Sequence, residues 1–208
     1  MPDYLLFLLI LIAALSHAVC HSILKNNKNP LGILGVTSIF EIIIFTPLVL
    51  SVPFPTTYIW ILIILSAFLH GLYRLLVVYS YQYGDLSFIY PIARGSSSLL
   101  LALISIIYLS DKISLIGFIA ILIVCFGLFL ISYSDKLKFN YTAFGLGFLT
   151  AIMITTYTLV DGIGVRNSPN PYTFLYWMLL LNGTPALVVS FLFRNNGIRV
   201  INKNLIFT

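Results

Sequence analysis

Glu41, Arg74 and Arg94 stand alone as charges inside runs of apolar residues, Glu41 being followed directly by Ile42, Ile43 and Ile44. An ionised side chain at such a place costs about 2.5 kcal/mol or more when it faces lipid. All three are therefore expected to turn toward a polar interior. Arg74 falls in the last third of its run and Arg94 in the first half of the next. Consecutive runs cross in opposite directions, so both guanidiniums come to one side of the midplane at similar depth. One reading is a two-arginine clamp that holds an anionic group, such as a carboxylate, through bidentate hydrogen bonds. The other pairs Glu41 with one arginine and lets the second snorkel to the membrane edge.

The histidines sit at helical spacing. His17 and His21 share one face, as do His70 and Arg74, because residues four apart lie above one another. Paired histidines suit metal binding or proton relay, but no third ligand follows at a suitable interval, so cavity lining or interhelical hydrogen bonding is expected. No metal and no cofactor are implied. Tyr73 and Tyr90 lie deeper in their runs than Tyr79, Tyr81 and Tyr83. The first two suit aromatic walls for an organic substrate, the other three a belt at the membrane surface. Asp161, near the end of its run, is expected at the interface, and Cys20 and Cys125 as small apolar fillers. Gly117, Gly127, Gly145 and Gly147 suit close helix packing. The phosphate loop, the His-Glu-x-x-His pattern and the Gly-x-Ser-x-Gly elbow are all missing, which argues against an enzyme and against nucleotide-driven transport.

The elements that must position these residues follow from composition. The chain has 208 residues, 60% of them hydrophobic and 8% charged, with a mean hydropathy of +1.06. No soluble domain buries so much apolar material. Crossing about 30 Å of hydrocarbon takes about 20 apolar residues as helix. Seven such runs occur, near 4–24, 31–51, 58–80, 86–109, 113–133, 141–163 and 172–193. They are too continuously apolar for barrel strands, so the expected fold is an all-α, polytopic transmembrane helical bundle. The first run lacks a basic leader and is long for a signal peptide, which makes it a retained span. The net charge of +5 belongs to membrane-edge loops. It implies the lipid bilayer as partner and no nucleic acid.

Residues 80–114 are the least uniform part. Gly84 and Asp85 form a turn, Pro91 falls in the first turns of the fourth span, and Gly95 precedes Ser96, Ser97 and Ser98. A proline there frees a carbonyl that a serine hydroxyl can satisfy, so Pro91 and Gly95 predict a broken or kinked helix beside a cavity. After a polar break at 134–140 the opening layout returns. An apolar run, an Asn/Pro connection and a second run with Thr184-Pro185 mirror the first two spans with Thr46-Pro47. This predicts a weak repeat, residues 1–137 forming a first five-helix unit and 138–208 two helices of a second. Five is odd, so the units are inverted.

Gly84-Asp85-Leu86-Ser87, Tyr90-Pro91-Ile92-Ala93-Arg94-Gly95, the Leu-Ser-Asp-Lys turn and the run from Ser114 to Gly117 together resemble the EamA family of the drug/metabolite transporter superfamily. Ser110-Asp111 stands where that family has Gly-Glu. The resemblance implies ten spans in two inverted repeats, and alternating access of small organic metabolites or drugs across a bacterial inner membrane. The cavity would be lined by spans one, three and four with their counterparts, with Glu41 or the histidines available for proton coupling. Seven spans fall short of ten, so a homodimer, further C-terminal helices or another partner would complete the pathway; a non-transporting subunit is the alternative. The resemblance places both ends of a full-length member in the cytoplasm. Loop charge opposes this, because Lys25, Lys28, Lys136, Lys138, Arg194, Arg199 and Lys203 share one side against Lys112 and Arg166 on the other. Both orientations stay open.

Overall fold

The computed structural model describes residues 3–108, 114–132 and 140–192. Within them the protein is an all-α bundle with seven helical segments long and apolar enough to cross a membrane. These are α1 (Asp3–Asn26), α2 (Pro30–Val49), α3 (Thr57–Ser80), α4 (Leu86–Tyr108), α5 (Leu115–Ser132) and α6 (Tyr141–Asn167), followed by α7 (Pro171–Asn182) and α8 (Thr184–Leu192), which make up one span in two pieces. The predicted spans agree to within a few residues at each end. The turn at 110–112, most of the break at 134–140 and the residues beyond Leu192 lie outside the described residues.

Polar connections start the helices. Asn29 Oδ1 accepts from Gly32 N at 3.0 Å with Pro30 as the first helical residue, and Asn170 Oδ1 accepts from Tyr172 N at 3.0 Å ahead of Pro171. Asn140 caps α6 through Ala143 N at 3.1 Å and Ser114 caps α5 through Gly117 N at 3.1 Å. In each case a short side chain satisfies a backbone N–H that the first turn leaves bare, and proline loses nothing there because its position has no intrahelical bond to make.

α3 is the hub. It contributes to three apolar clusters, with α4 and α6 through Val77, Ile89, Ile92 and Ala143, with α2 and α8 through Val78, Leu34 and Ala186, and with α7 through Ile59, Ile63, Phe174 and Met178. Close approach between helices needs small residues: a Cβ on Gly147 of α6 would sit 3.2 Å from Ile92 Cγ2 of α4. Gly127 and Gly145, also expected at helix contacts, face open space instead. At the end of the bundle where α3 begins, Trp60, Trp177 and Phe54 meet with ring centroids 4.9 to 5.6 Å apart, a cluster suited to the membrane interface.

α4 runs as one helix through Pro91, and Ser97 and Ser98 donate to the carbonyl of Arg94 at 3.0 and 2.9 Å, not to the Ser87 carbonyl that proline leaves free. Gly95 serves packing: Cys125 Sγ of α5 lies 3.2 Å from its carbonyl. In the seventh span two helices meet at Gly183, whose backbone stays in the right-handed helical region at φ −77° and ψ −20°. Pro185 cannot bond to the Leu181 carbonyl four residues back. The Thr184 hydroxyl donates to it at 2.7 Å, and helical bonding resumes with Leu187 N to Gly183 O at 2.9 Å.

Candidate functional site

Three polar groupings are held inside the bundle. The first joins α2 to α3: Arg74 Nη2 donates to Glu41 Oε1 at 2.6 Å. Glu41 Oε2 is buried with no hydrogen-bond partner, and a Cβ on Gly183, where α7 and α8 meet, would come within 2.7 Å of it. The two-arginine clamp is therefore not formed, because Arg74 is already committed to the carboxylate.

The second grouping joins α1 to α3 and α4. Tyr81, the residue capping the end of α3, is buried, and burial first of all pushes its phenol well above the ordinary value, so it stays an O–H donor. It donates to His21 Nδ1 at 2.6 Å. The remaining nitrogen of a neutral His21 is then N–H, and Nε2 donates to His17 Nε2 at 3.1 Å. Arg94 Nη2 donates to the same His17 atom at 3.0 Å. Arg94 thus does not snorkel. It ends a chain of hydrogen bonds that Lys25 anchors at the membrane edge by donating to the carbonyls of Tyr81 and, at 2.8 Å, Gly84. Tyr90 packs its ring on His17 and His21 at 6.2 and 5.2 Å. Tyr81 is consequently no belt residue, whereas Tyr79 and Tyr83 bond hydroxyl to hydroxyl at 2.9 Å. Among the described residues no carboxylate forms an ion pair with Arg94.

The third grouping was not anticipated. α6 extends four residues past the expected end of the sixth span, to Asn167, and Asp161 meets the middle of α3 and not the interface. Ser66 Oγ donates to Asp161 Oδ1, and His70 Nε2 lies 3.7 Å from Asp161 Oδ2. The i, i+4 relation of Ser66, His70 and Arg74 on α3 was visible in the sequence, but Asp161 lay 95 residues away with no local cue. Serine, histidine and aspartate meet here without the order of a hydrolase, since the hydroxyl points at the carboxylate and Ser66 is fully buried.

Between these groupings lies a cavity of about 310 Å³. His17 and His21 reach it from α1, Glu41 from α2, His70, Tyr73 and Arg74 from α3, and Tyr157 from α6. α4 does not line it, in contrast to the expected set of spans. Arg94 and Tyr90 border a narrower crevice alongside, from which Tyr73 and His21 separate the cavity. Tyr157, missed in the sequence, lies over His70 with centroids 3.9 Å apart and against Tyr73 at 5.4 Å. Cys20 also borders the cavity.

Fold and site together define a polytopic membrane protein with a mostly apolar hollow bordered by several ionisable side chains. Compared with protein-family models, curated proteins and solved structures, the chain matches none.

Proposed function

We propose that this chain is a secondary transporter, or the larger part of one, which moves small organic metabolites or drugs across a cell membrane by alternating access. The observation that carries the reading is the 310 Å³ cavity, within the lower range of small-molecule sites and bordered by the partly buried Glu41 and Arg74, charges that are costly inside a membrane. The EamA-like segment around Tyr90 and Arg94 supports the family, the inverted repeat and a bacterial inner membrane. Arg94 is the cation without a carboxylate partner among the described residues; the crevice it borders holds only about 10 Å³, so an anionic group reaches it when the change of access widens that crevice, exchanging a neutral imidazole contact for a charged one. Tyr73, Tyr90, His17 and His70 then form walls. Glu41 and Arg74 form a pair whose opening accompanies the change of access.

A second reading, a membrane subunit that completes a pathway only with a partner, is favoured by the Glu41–Arg74 pair, since charges that neutralise one another serve cohesion as well as transport. Purified protein in liposomes, given a panel of labelled organic anions and metabolites, separates the two. Arg94→Ala is expected to lower uptake of a transported anion by tenfold or more with unchanged folded yield, and Glu41→Gln to lower both. Wild-type protein that moves no member of the panel sinks the transporter reading.

A further inference from the structure

We infer that Ser66, His70 and Asp161 form a proton-binding site that opens on the cavity through His70 and, resting on the transporter reading above, supplies the coupling proton.

The argument is one of donors and acceptors. His70 Nδ1 lies 3.0 Å from the Ser66 carbonyl, which can only accept, and 3.3 Å from Ser66 Oγ, whose single proton is directed at Asp161 Oδ1. Both neighbours of Nδ1 are acceptors, so Nδ1 carries hydrogen. In a neutral ring Nε2 is then a bare lone pair, and it faces Asp161 Oδ2 at 3.7 Å. Two acceptors confront one another across a gap too long for a hydrogen bond and too short for indifference. One added proton resolves it, carried either by the ring as an imidazolium facing the carboxylate, or by Oδ2 as an acid donating to Nε2. In both forms the cluster gains one positive charge.

The surroundings make that charge matter. Arg74 lies one turn from His70 and is neutralised by Glu41 of α2. Tyr157 of α6 lies over the ring and Tyr73 of α3 packs against Tyr157. From α4, Arg94 acts on Tyr157 together with Asp161, while α1 presents His17 and His21 across the cavity. α7 brings only Tyr172 and Tyr176 as titratable groups, and α8 none. Among the described residues Asp161 is thus the carboxylate near the hollow without an arginine or lysine partner, and a proton can cancel its charge without breaking an ion pair to either arginine. His70 lines the cavity and Asp161 does not, so His70 is the member of the cluster that the cavity reaches. A proton arriving from the cavity meets the ring first.

The test is pH-difference infrared spectroscopy of the protein in lipid nanodiscs without cargo, so that it does not depend on transport. Because His17, His21 and the other carboxylates also titrate, the readout is the difference between wild type and variant. Wild type is expected to take up one proton per chain more than Asp161→Asn, whose amide oxygen still accepts from Ser66, with a carboxyl or imidazolium band in the wild-type-minus-variant spectrum; in His70→Gln that band should move by a pH unit or more. Identical proton uptake and band changes in wild type and Asp161→Asn between pH 4 and pH 9 overturn the inference. Uptake of any transported panel member that follows a sodium gradient and ignores a pH gradient also overturns it, while leaving the transporter reading intact. A proton site in a protein that moves no cargo does the reverse.

Discussion

The pairs α1–α2 and α6–α7 start from one layout in the sequence and end in different surroundings. Their connections fold alike, Asn29 and Asn170 each capping a helix that begins with proline. The long helices before them do not pack alike. Of the most apolar window of α6, 33% is buried inside the protein, against 6% for α1. α6 meets α3 and α4 through Ala143, Gly147, Thr150 and Ala151, whose small size lets backbones approach. α1 meets the same neighbours through His17, His21 and Lys25. Capping is local chemistry and repeats with the sequence, whereas packing depends on what stands opposite. One helix is fixed by shape, the other by a few hydrogen bonds that in a bilayer average about 0.6 kcal/mol each.

The largest effect is expected where shape does the fixing. Ala151→Leu adds three carbons at a position with 0% exposure, and overpacking of this kind costs about 3 kcal/mol. Ala14→Leu, on an exposed part of α1, should leave unfolding by denaturant unchanged. Equal losses in the two variants would break the distinction between the helices.

The second spans of the two pairs sharpen it further. Thr46-Pro47 and Thr184-Pro185 look equivalent, yet α2 continues past its proline to Val49 while the seventh span divides into α7 and α8. Gly183 makes the difference, lying so close to α2 that a Cβ would come within 2.9 Å of Ser38 Cα as well as crowding Glu41. Gly183→Val is expected to cost about 2 kcal/mol, read as a lower denaturation midpoint. Gly145→Ala, facing open space, is expected to be neutral or slightly stabilising, since alanine is the better helix former.

The same contrast explains what could be read from the sequence. Seven spans, their caps and the burial of Glu41, Arg74 and Arg94 follow from residue type and run length alone, because hydrocarbon imposes them whatever the neighbours are. Which charge meets which does not follow. Arg74 pairs with Glu41 because α2 packs beside α3, a fact of side-chain fit with no signature in either run. Asp161 was misplaced because its helix is longer than its apolar run, Arg166 and Asn167 being helical yet polar. Pro91 lies inside a continuous α4, and Pro185 lies in the first turn of α8.

The smallest effect tests the tether of α1. Tyr81→Phe keeps the buried ring and removes one hydrogen bond, that to His21 Nδ1, for a loss of about 0.6 kcal/mol, close to the limit of an unfolding measurement. The local consequence is larger. Without that donor the tautomer of His21 is no longer fixed, and when Nε2 is left bare it faces His17 Nε2, already occupied by Arg94, as a second acceptor. The chain then loses two links for one hydroxyl, and α1 keeps the Arg94 contact, the Lys25 anchor, the Tyr90 ring contacts and the packing of Leu24. Cys20, on α1 beside the cavity, reports this directly. In a Cys125→Ala background, maleimide labelling of Cys20 should become several times faster in Tyr81→Phe and stay at the wild-type rate in Tyr83→Phe, whose hydroxyl bonds only its neighbour Tyr79. Equal rates in both would mean that α1 is held by something other than its histidines, and that the two long helices differ less than their packing indicates.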